Sequence, residues 1–342
     1  MKFITQPVIG VDIAKQVFQV HEVNTTTGEI TSVKLKRAKF LEYFANRSSC
    51  LIGMEACGGA QHWARRLIAL GHNVRLLPAQ QVRPFAVGNK NDVADARAIW
   101  MAVQQPGIRA VVVKTETQQA VLALHRMRQQ LVKFRTAQMN GLRGLLAEYG
   151  EVMPRGRFAL AKAIPLVLER LIDRLPAVLI ETLREQYARI GQMGSQITDI
   201  ERRLHLWHRS DEDCQRIAAI PGVGLLTATA AVATMGDPHA FRSGREFAAW
   251  LGLVPRQVGT GGQVRLLGIS KRGDTYLRTL LIHGARSVLV HSQKPSPWIS
   301  AILQRRSLNV ASVALANKIA RTLWALIAHH RLYQSGYVSQ PT

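Results

Sequence analysis

Apolar and polar positions change their period twice along the chain. Residues 7–23 are rich in Val and Ile with partial alternation, and predict a strand, a short turn and a second strand. SVKLKRA predicts a third strand and LEYFANR the start of a helix. CLIGMEA is a continuous apolar strand of the kind buried on both faces, and GAQHWARRLIALGH is a helix ending on Gly71. NVRLLPA is a further short strand, and a loop leads from it into the helix DVADARAIWMAVQQ. Strands alternating with helices predict an α/β sheet covered on both faces across residues 1–110.

Beyond residue 110 the period lengthens. Leu124, Met127, Leu131, Phe134, Leu145 and Tyr149 follow three- and four-residue spacing, with Gln138 in one seam position. Leu183, Tyr187, Ile190, Ile197 and Leu204 repeat the pattern. These stripes predict a coiled coil over residues 111–213, either an antiparallel hairpin or a seam between two copies of the chain. A mostly helical third region, 214–342, opens on RIAAIPGVGLLTATAAVATMG, which has the shape of a helix-hairpin-helix with its turn at 221–224. A helix over EFAAWLGL, a Gly-rich basic loop and helices around 273–292 and 309–332 follow.

Composition narrows the class. The chain has 342 residues, 47% of them hydrophobic, enough to fill two or three cores and too apolar for a disordered tail. It carries 45 Lys and Arg against 22 Asp and Glu, a net charge of +23, as expected of a protein that meets a polyanion. The excess is uneven: the last 129 residues hold 15 basic and 3 acidic side chains, so nucleic acid should be held most tightly there. Asp12 interrupts the N-terminal apolar run, no signal peptide is evident, and no stretch of about twenty apolar residues is expected to span a membrane. Three cysteines without metal-ligand spacing suit a reducing, cytoplasmic setting.

Within so basic a chain, four acids stand out. Asp12 lies in VIGVDIAKQVFQV, Glu55 closes CLIGMEACGG, and Asp92 and Asp95 share the first turn of one helix. Each alone has a plainer reading: a turn cap, an exposed strand end, or charge at a helix N-terminus. Together, in α/β context, they suit a site holding Mg2+ or Mn2+ for phosphodiester chemistry. The second constellation is residues 255–278. There glycines, among them Gly261 and Gly262, alternate with Arg256, Arg265, Lys271 and Arg272, which can neutralise phosphate. Thr260 or Ser270 is a candidate nucleophile, against the plainer reading of a loop that only grips backbone. Gly222 and Gly224 in the 221–224 turn offer backbone amides to phosphate. His283, His291, His329 and His330 show no zinc pattern, and Trp250 and Trp298 are more readily core residues than base platforms.

GVDIAK, GMEACGG, NKNDVADARAI, IPGVG, FAAWLGLVPR and GISKRGDTYLR, in this order through nearly the whole chain, resemble the DEDD insertion-sequence transposases, relatives of the Piv DNA invertase. The resemblance implies an N-terminal ribonuclease-H-like (RuvC-like) domain with metal ligands Asp12, Glu55, Asp92 and Asp95. It also implies a coiled-coil dimerisation region and a C-terminal domain carrying a serine nucleophile that links covalently to DNA. Composite sites across a homodimer or dimer of dimers, an element-encoded guide RNA and a bacterial, nucleoid-associated location are implied as well. One departure matters: the Ser-rich stretch after the Pro-Arg of the family reads VGTGG here, so the matching hydroxyl is Thr260, with Gly259 before it. Three options stay open: Thr260 acts, Ser270 substitutes, or this copy is impaired. A water-using nuclease is the rival chemistry.

Overall fold

The apolar runs of the first hundred residues pair into one five-stranded sheet. In the computed structural model, which describes residues 6–89 and 91–336, β1 (Val8–Ile13) lies antiparallel to β2 (Val17–Val23), and β2 antiparallel to β3 (Ile30–Lys36). On its other side β1 runs parallel to β4 (Leu51–Glu55), and β4 parallel to β5 (Asn73–Leu77), giving the order β3-β2-β1-β4-β5. This mixed sheet is consistent with the expected nuclease-like domain. β3 forms one edge and exposes every second residue, including Lys34 and Lys36, which suits a strand that must not pair further.

Pleating assigns the two faces. Ile9, Val11, Phe18, Val20, Ile52 and Met54 pack on α1 (Phe40–Ala45) and α2 (Ala60–Ala69) through Phe40, Phe44, Trp63 and Leu67. Val8, Leu51 and Leu77 pack on the other side against Ala98, Ile99 and Val103 of α4 (Asp92–Val103). A short helix α3 (Ala79–Val82) leads from β5 toward α4.

Two glycines let α4 lie directly on the strands. A Cβ on Gly10 would stand 2.3 Å from the Ala96 carbonyl oxygen, and one on Gly53 would stand 2.8 Å from Val103 Cβ. Gly10→Ala is therefore expected to lift α4 from the sheet and destabilise this unit by about 2–4 kcal/mol. Denaturant unfolding followed by circular dichroism would measure it, and an unchanged midpoint would refute the close approach.

Contacts divide the chain into two units, the boundary falling after Glu116. In the second, α5 (Glu116–Ala147) and α7 (Ala177–Ser210) run antiparallel, tied by the Arg128–Glu201 ion pair at 2.7 Å and by Gln186 donating to Gln138 at 3.0 Å. An antiparallel hairpin, one of the two arrangements open from the stripes, is thus formed within one chain. A helix absent from the sequence reading, α6 (Arg157–Leu171), covers its tip, packing Leu160, Ile164, Leu168 and Leu171 on Leu142, Leu146 and Leu183. The α7 stripe is buried as expected, but that on α5 is out of phase. Met127, Phe134 and Leu145 are 47–48% exposed, while Val121, His125, Met139, Leu142 and Leu146 face the interior.

The remaining helices are α8 (Glu212–Ala218), α9 (Leu225–Met235), α10 (Gly244–Trp250), α11 (Thr275–His291), α12 (Pro297–Arg305) and α13 (Leu308–Ala328), and they share one apolar core. Contrary to the sequence expectation, α13 is long and apolar enough by length and composition to cross a membrane. Here it is the spine of this core, burying Leu315, Ile319, Leu323 and Ile327.

His125 on α5 is 1% exposed and sits in a hydrogen-bonded chain. The Thr229 hydroxyl donates to the Leu225 carbonyl at 2.7 Å, so it accepts from His125 Nε2–H at 3.0 Å; Nδ1 is left to accept from the Tyr276 hydroxyl, also at 3.0 Å. Burial, and then the charge of Arg128, push the imidazole down to about 4 from an ordinary value of 6.5. A lowered histidine pKa favours the folded state above 6.5, and that stabilisation is lost as pH falls toward 4. The second unit is expected to lose roughly 3 kcal/mol over that interval from this residue. In His125→Gln the stability of this unit between pH 7 and 4.5 is expected to be flatter by that amount; an unchanged slope would exclude the effect.

Candidate functional site

The sheet register carries the four acids to one place. Side chains two apart on a strand share a face, so Asp12 follows Gly10 and Glu55 follows Gly53 onto the side covered by α4. Val11 pairs with Met54, so the next pair in that parallel register is Asp12 and Glu55, at the C-terminal ends of adjacent strands. α4 crosses Gly10 at Ala96, which leaves its first turn, with Asp92 and Asp95, beyond the strand toward Asp12. Asn91 caps that turn, accepting from the Ala94 amide at 2.8 Å.

The electrostatics agree with this convergence. The Asp12 carboxyl is pushed up to about 6 from 3.8, first by burial and then by the charges of Asp95, Asp92 and Glu55, with the Ile13 amide opposing. None of the four carboxylates has an ion-pair partner among the described residues, in a chain with 45 cationic side chains. As the side chains stand, no three His, Cys, Asp or Glu among the described residues close to metal-holding distance. The donor set itself, four hard oxygen acids without an ion-pair partner among the described residues, fits a divalent cation of the Mg2+ or Mn2+ type.

In the second unit the expected Gly-rich loop is a β-hairpin. β6 (Pro255–Thr260) pairs antiparallel with β7 (Gln263–Ile269) around a two-residue turn, Gly261–Gly262, whose φ values of +56° and +82° are those a tight hairpin requires. Both strands are largely exposed, so the alternating apolar signal of a half-buried strand never arose. Thr260 lies at the tip, opposite Gln263 and exposed. Arg265 opposes Val258, two residues from Thr260, which places guanidinium and hydroxyl on one face of the ribbon. A Cβ on Gly259 would stand 2.7 Å from the Gln263 carbonyl oxygen, so a serine there needs the tip to shift. Arg256, Lys271 and Arg272 are exposed.

Ser270 is placed differently. Its amide donates to the Val254 carbonyl at 2.9 Å, and its hydroxyl is buried with no hydrogen-bond partner. The turn after it is tightly held: Lys271 has φ +54°, and a Cβ on Gly273 would stand 1.9 Å from the Trp250 carbonyl oxygen. The residue that clamps this turn, Arg278 on α11, is only 6% exposed and was not anticipated. It donates to the carbonyls of Leu251 at 2.9 Å and Arg272 at 2.6 Å, and to the Thr275 hydroxyl at 3.0 Å. A buried arginine on a helix carries no sequence signal of its own.

At the 221–224 turn, Gly224 is exposed and precedes the uncapped α9. Gly222 has φ +86°, and a Cβ there would stand 2.8 Å from the Gly284 carbonyl oxygen on α11. Packing alone therefore requires glycine at 222.

Comparison with known proteins follows the same two regions. A transposase profile of the DEDD IS110 type matches residues 9–151, and one described as "Transposase IS116/IS110/IS902 family" matches residues 214–300. The chain is similar to a probable family 20 transposase of Pseudomonas aeruginosa, at 48% identity over 96% of this chain and 98% of that protein. It is 43% identical to the transposase for insertion sequence element IS1111A of Coxiella burnetii, over 96% of this chain and 92% of that protein. It is 39% identical to the transposase for insertion sequence element IS1328 of Yersinia enterocolitica, over 93% and 96%.

Proposed function

The chain belongs to the IS116/IS110/IS902 family of transposases, DNA-cleaving and DNA-joining enzymes, and on that premise we propose that it moves its own element by covalent strand transfer through the Thr260 hydroxyl. The observation that carries this reading is the pairing of roles: four carboxylates toward one sheet end, without an ion-pair partner among the described residues, and an exposed hydroxyl on the same ribbon face as Arg265 at a hairpin tip. Asp12, Glu55, Asp92 and Asp95 would hold a divalent ion, which when bound supplies positive charge to a DNA phosphate and to the oxygen that leaves it. Thr260 Oγ loses its proton as it attacks the phosphorus, the phosphorus–oxygen bond to the sugar breaks, and the freed sugar oxygen takes up one proton to become a hydroxyl. The phosphothreonine link conserves the bond, so rejoining to a new partner needs no nucleotide cofactor. Arg265, with Arg256, Lys271 and Arg272, neutralises the phosphates that flank the link.

In this reading residues 1–110 hold the scissile phosphate, 111–213 join protomers through the exposed α5 stripe as a homodimer or dimer of dimers, and 214–342 grip DNA and carry the nucleophile. The 15-to-3 excess of basic over acidic residues in the last region suits contacts to backbone more than to bases. Sequence choice is accordingly assigned to a guide RNA, and the setting to the bacterial cytoplasm at the nucleoid. A suicide DNA substrate bearing the element junction, with Mg2+ and co-purifying RNA, tests the core of this reading. Denaturing electrophoresis and peptide mass spectrometry should find DNA attached to Thr260. Cleaved ends without an adduct would replace it with water-driven nuclease chemistry.

A further inference from the structure

On the face of the sheet opposite the acids, but at the same end, the first unit holds a groove that the proposed chemistry leaves unused. A cavity of about 790 Å³ is lined by Lys36, Arg37, His62, Trp63 and Arg66, among others. A second, of about 460 Å³, shares Arg37 and Trp63 with it and adds Ile13, Lys15, Cys57 and Gly58. Ile13 directly follows Asp12, and Cys57 lies two residues past Glu55, so the groove begins where β1 and β4 deliver their carboxylates. It then runs over the start of β2, the end of β3 and the first turns of α2.

Its lining is cationic without relief. Lys15, Lys36, Arg37 and Arg66 are exposed, none makes an ion pair among the described residues, and no carboxylate lines either cavity. The floor is rigid. Trp63 is 6% exposed and packed edge-on by Phe18 and Phe40, with ring centroids 5.0 and 5.1 Å away. Arg37 is fixed above it, its guanidinium carbon 4.9 Å from the ring centroid and one nitrogen donating to the Lys15 carbonyl at 3.2 Å. The Trp63 indole N–H is buried without an acceptor, an unspent donor beneath a cationic surface. His62 presents an exposed ring at the rim.

We infer that this groove binds the phosphate backbone of a single polynucleotide strand, the segment adjoining the phosphate held at the acid end. Polyanionic backbone is the chemistry that suits four cations without an ion pair among the described residues, one of them, Arg37, held over Trp63. Cations dominate the polar lining, so contacts to the phosphate backbone, which carry no sequence information, are expected to supply most of the binding. The inference rests on the strand-transfer reading only in naming which part of the strand lies there.

The test is binding of labelled single-stranded DNA and RNA of one sequence to the full chain in EDTA, across a salt series. Neutralising two cations in Lys36→Gln/Arg66→Gln leaves Arg37 on Trp63 and should preserve the fold, checked by the melting curve. Loss of two phosphate contacts is expected to weaken binding about 25-fold at 0.1 M salt and to make the log–log salt slope shallower by about 1.4. The polymer that shows the loss, DNA or RNA, is the groove's occupant. Wild-type affinity and slope for both polymers would overturn the proposal. So would an equal loss in the charge-matched variant Arg184→Gln/Arg203→Gln, on exposed positions of α7. Because no metal is present, a protein that binds here yet never cleaves DNA would sink the catalytic reading and leave the groove standing.

Discussion

Replacing Asp12 by asparagine is expected to abolish strand transfer, by about a thousandfold or more, while making the metal-free protein more stable. The loss follows from its place. Asp12 is the carboxylate that feels the charges of Asp95, Asp92 and Glu55 together. Removing a principal electrostatic contributor at a phosphoryl-transfer site costs on this scale. The gain in stability follows from sign. A carboxyl raised from 3.8 to about 6 binds its proton more tightly in the folded state. Asp12 therefore costs nothing below pH 4, and its penalty grows to at most about 3 kcal/mol above pH 6. Asp12→Asn removes that penalty, so its melting temperature should exceed that of the wild type at pH 8 and match it at pH 4. Adding Mg2+ should raise the wild-type melting temperature and move the variant less. An inactive variant that is also unstable would place Asp12 in the scaffold; an active one would remove it from the site.

The second large effect concerns the hydroxyl. Thr260→Ala is expected to abolish both the covalent adduct and strand transfer, again by about a thousandfold or more, because no other group replaces a nucleophile. Ser270→Ala is expected to stay within about twofold of wild type, since its hydroxyl is buried and unpartnered and its removal leaves no partner unsatisfied. Thr260→Ser should match or exceed the wild type: it keeps the oxygen and removes the methyl that crowds in-line approach. Adduct formation on junction DNA, mapped by peptide mass spectrometry, reads all three. An adduct at Ser270, or one that survives Thr260→Ala, would transfer the role. Absence of any cleavage, with junction DNA and RNA supplied, would mean an impaired copy.

Several features could be read from local pattern. The strands of the sheet, α2 and α4 were legible because each combines its own period with its own stop signal, such as Gly71 after α2 and Asn91 before α4. The hairpin of β6 and β7 was not, because strands exposed on both faces carry no period-two apolar signal. The α5 stripe was misphased for a related reason. With Met127, Phe134 and Leu145 on one side and Val121, Met139, Leu142 and Leu146 on another, the helix is apolar on two faces. Spacing alone cannot say which of them meets α6 and α7.

The sequence by itself determined the charge that calls for a polyanion, the identity and order of the four acids, and the hydroxyl at position 260, since these are properties of residue type. Only the tertiary structure decided that the strands and helix carrying the acids end on one side of the sheet. Convergence depends on a strand register and on the close approach of α4 over Gly10 and Gly53, which bring positions eighty residues apart to one sheet end. The structure likewise decided that the Ser270 hydroxyl is buried, that Arg278 clamps the turn beside it, and that cations from three separate segments line one groove over Trp63. Each of these is a contact between residues distant along the chain, and such contacts are set by packing, which local pattern does not encode.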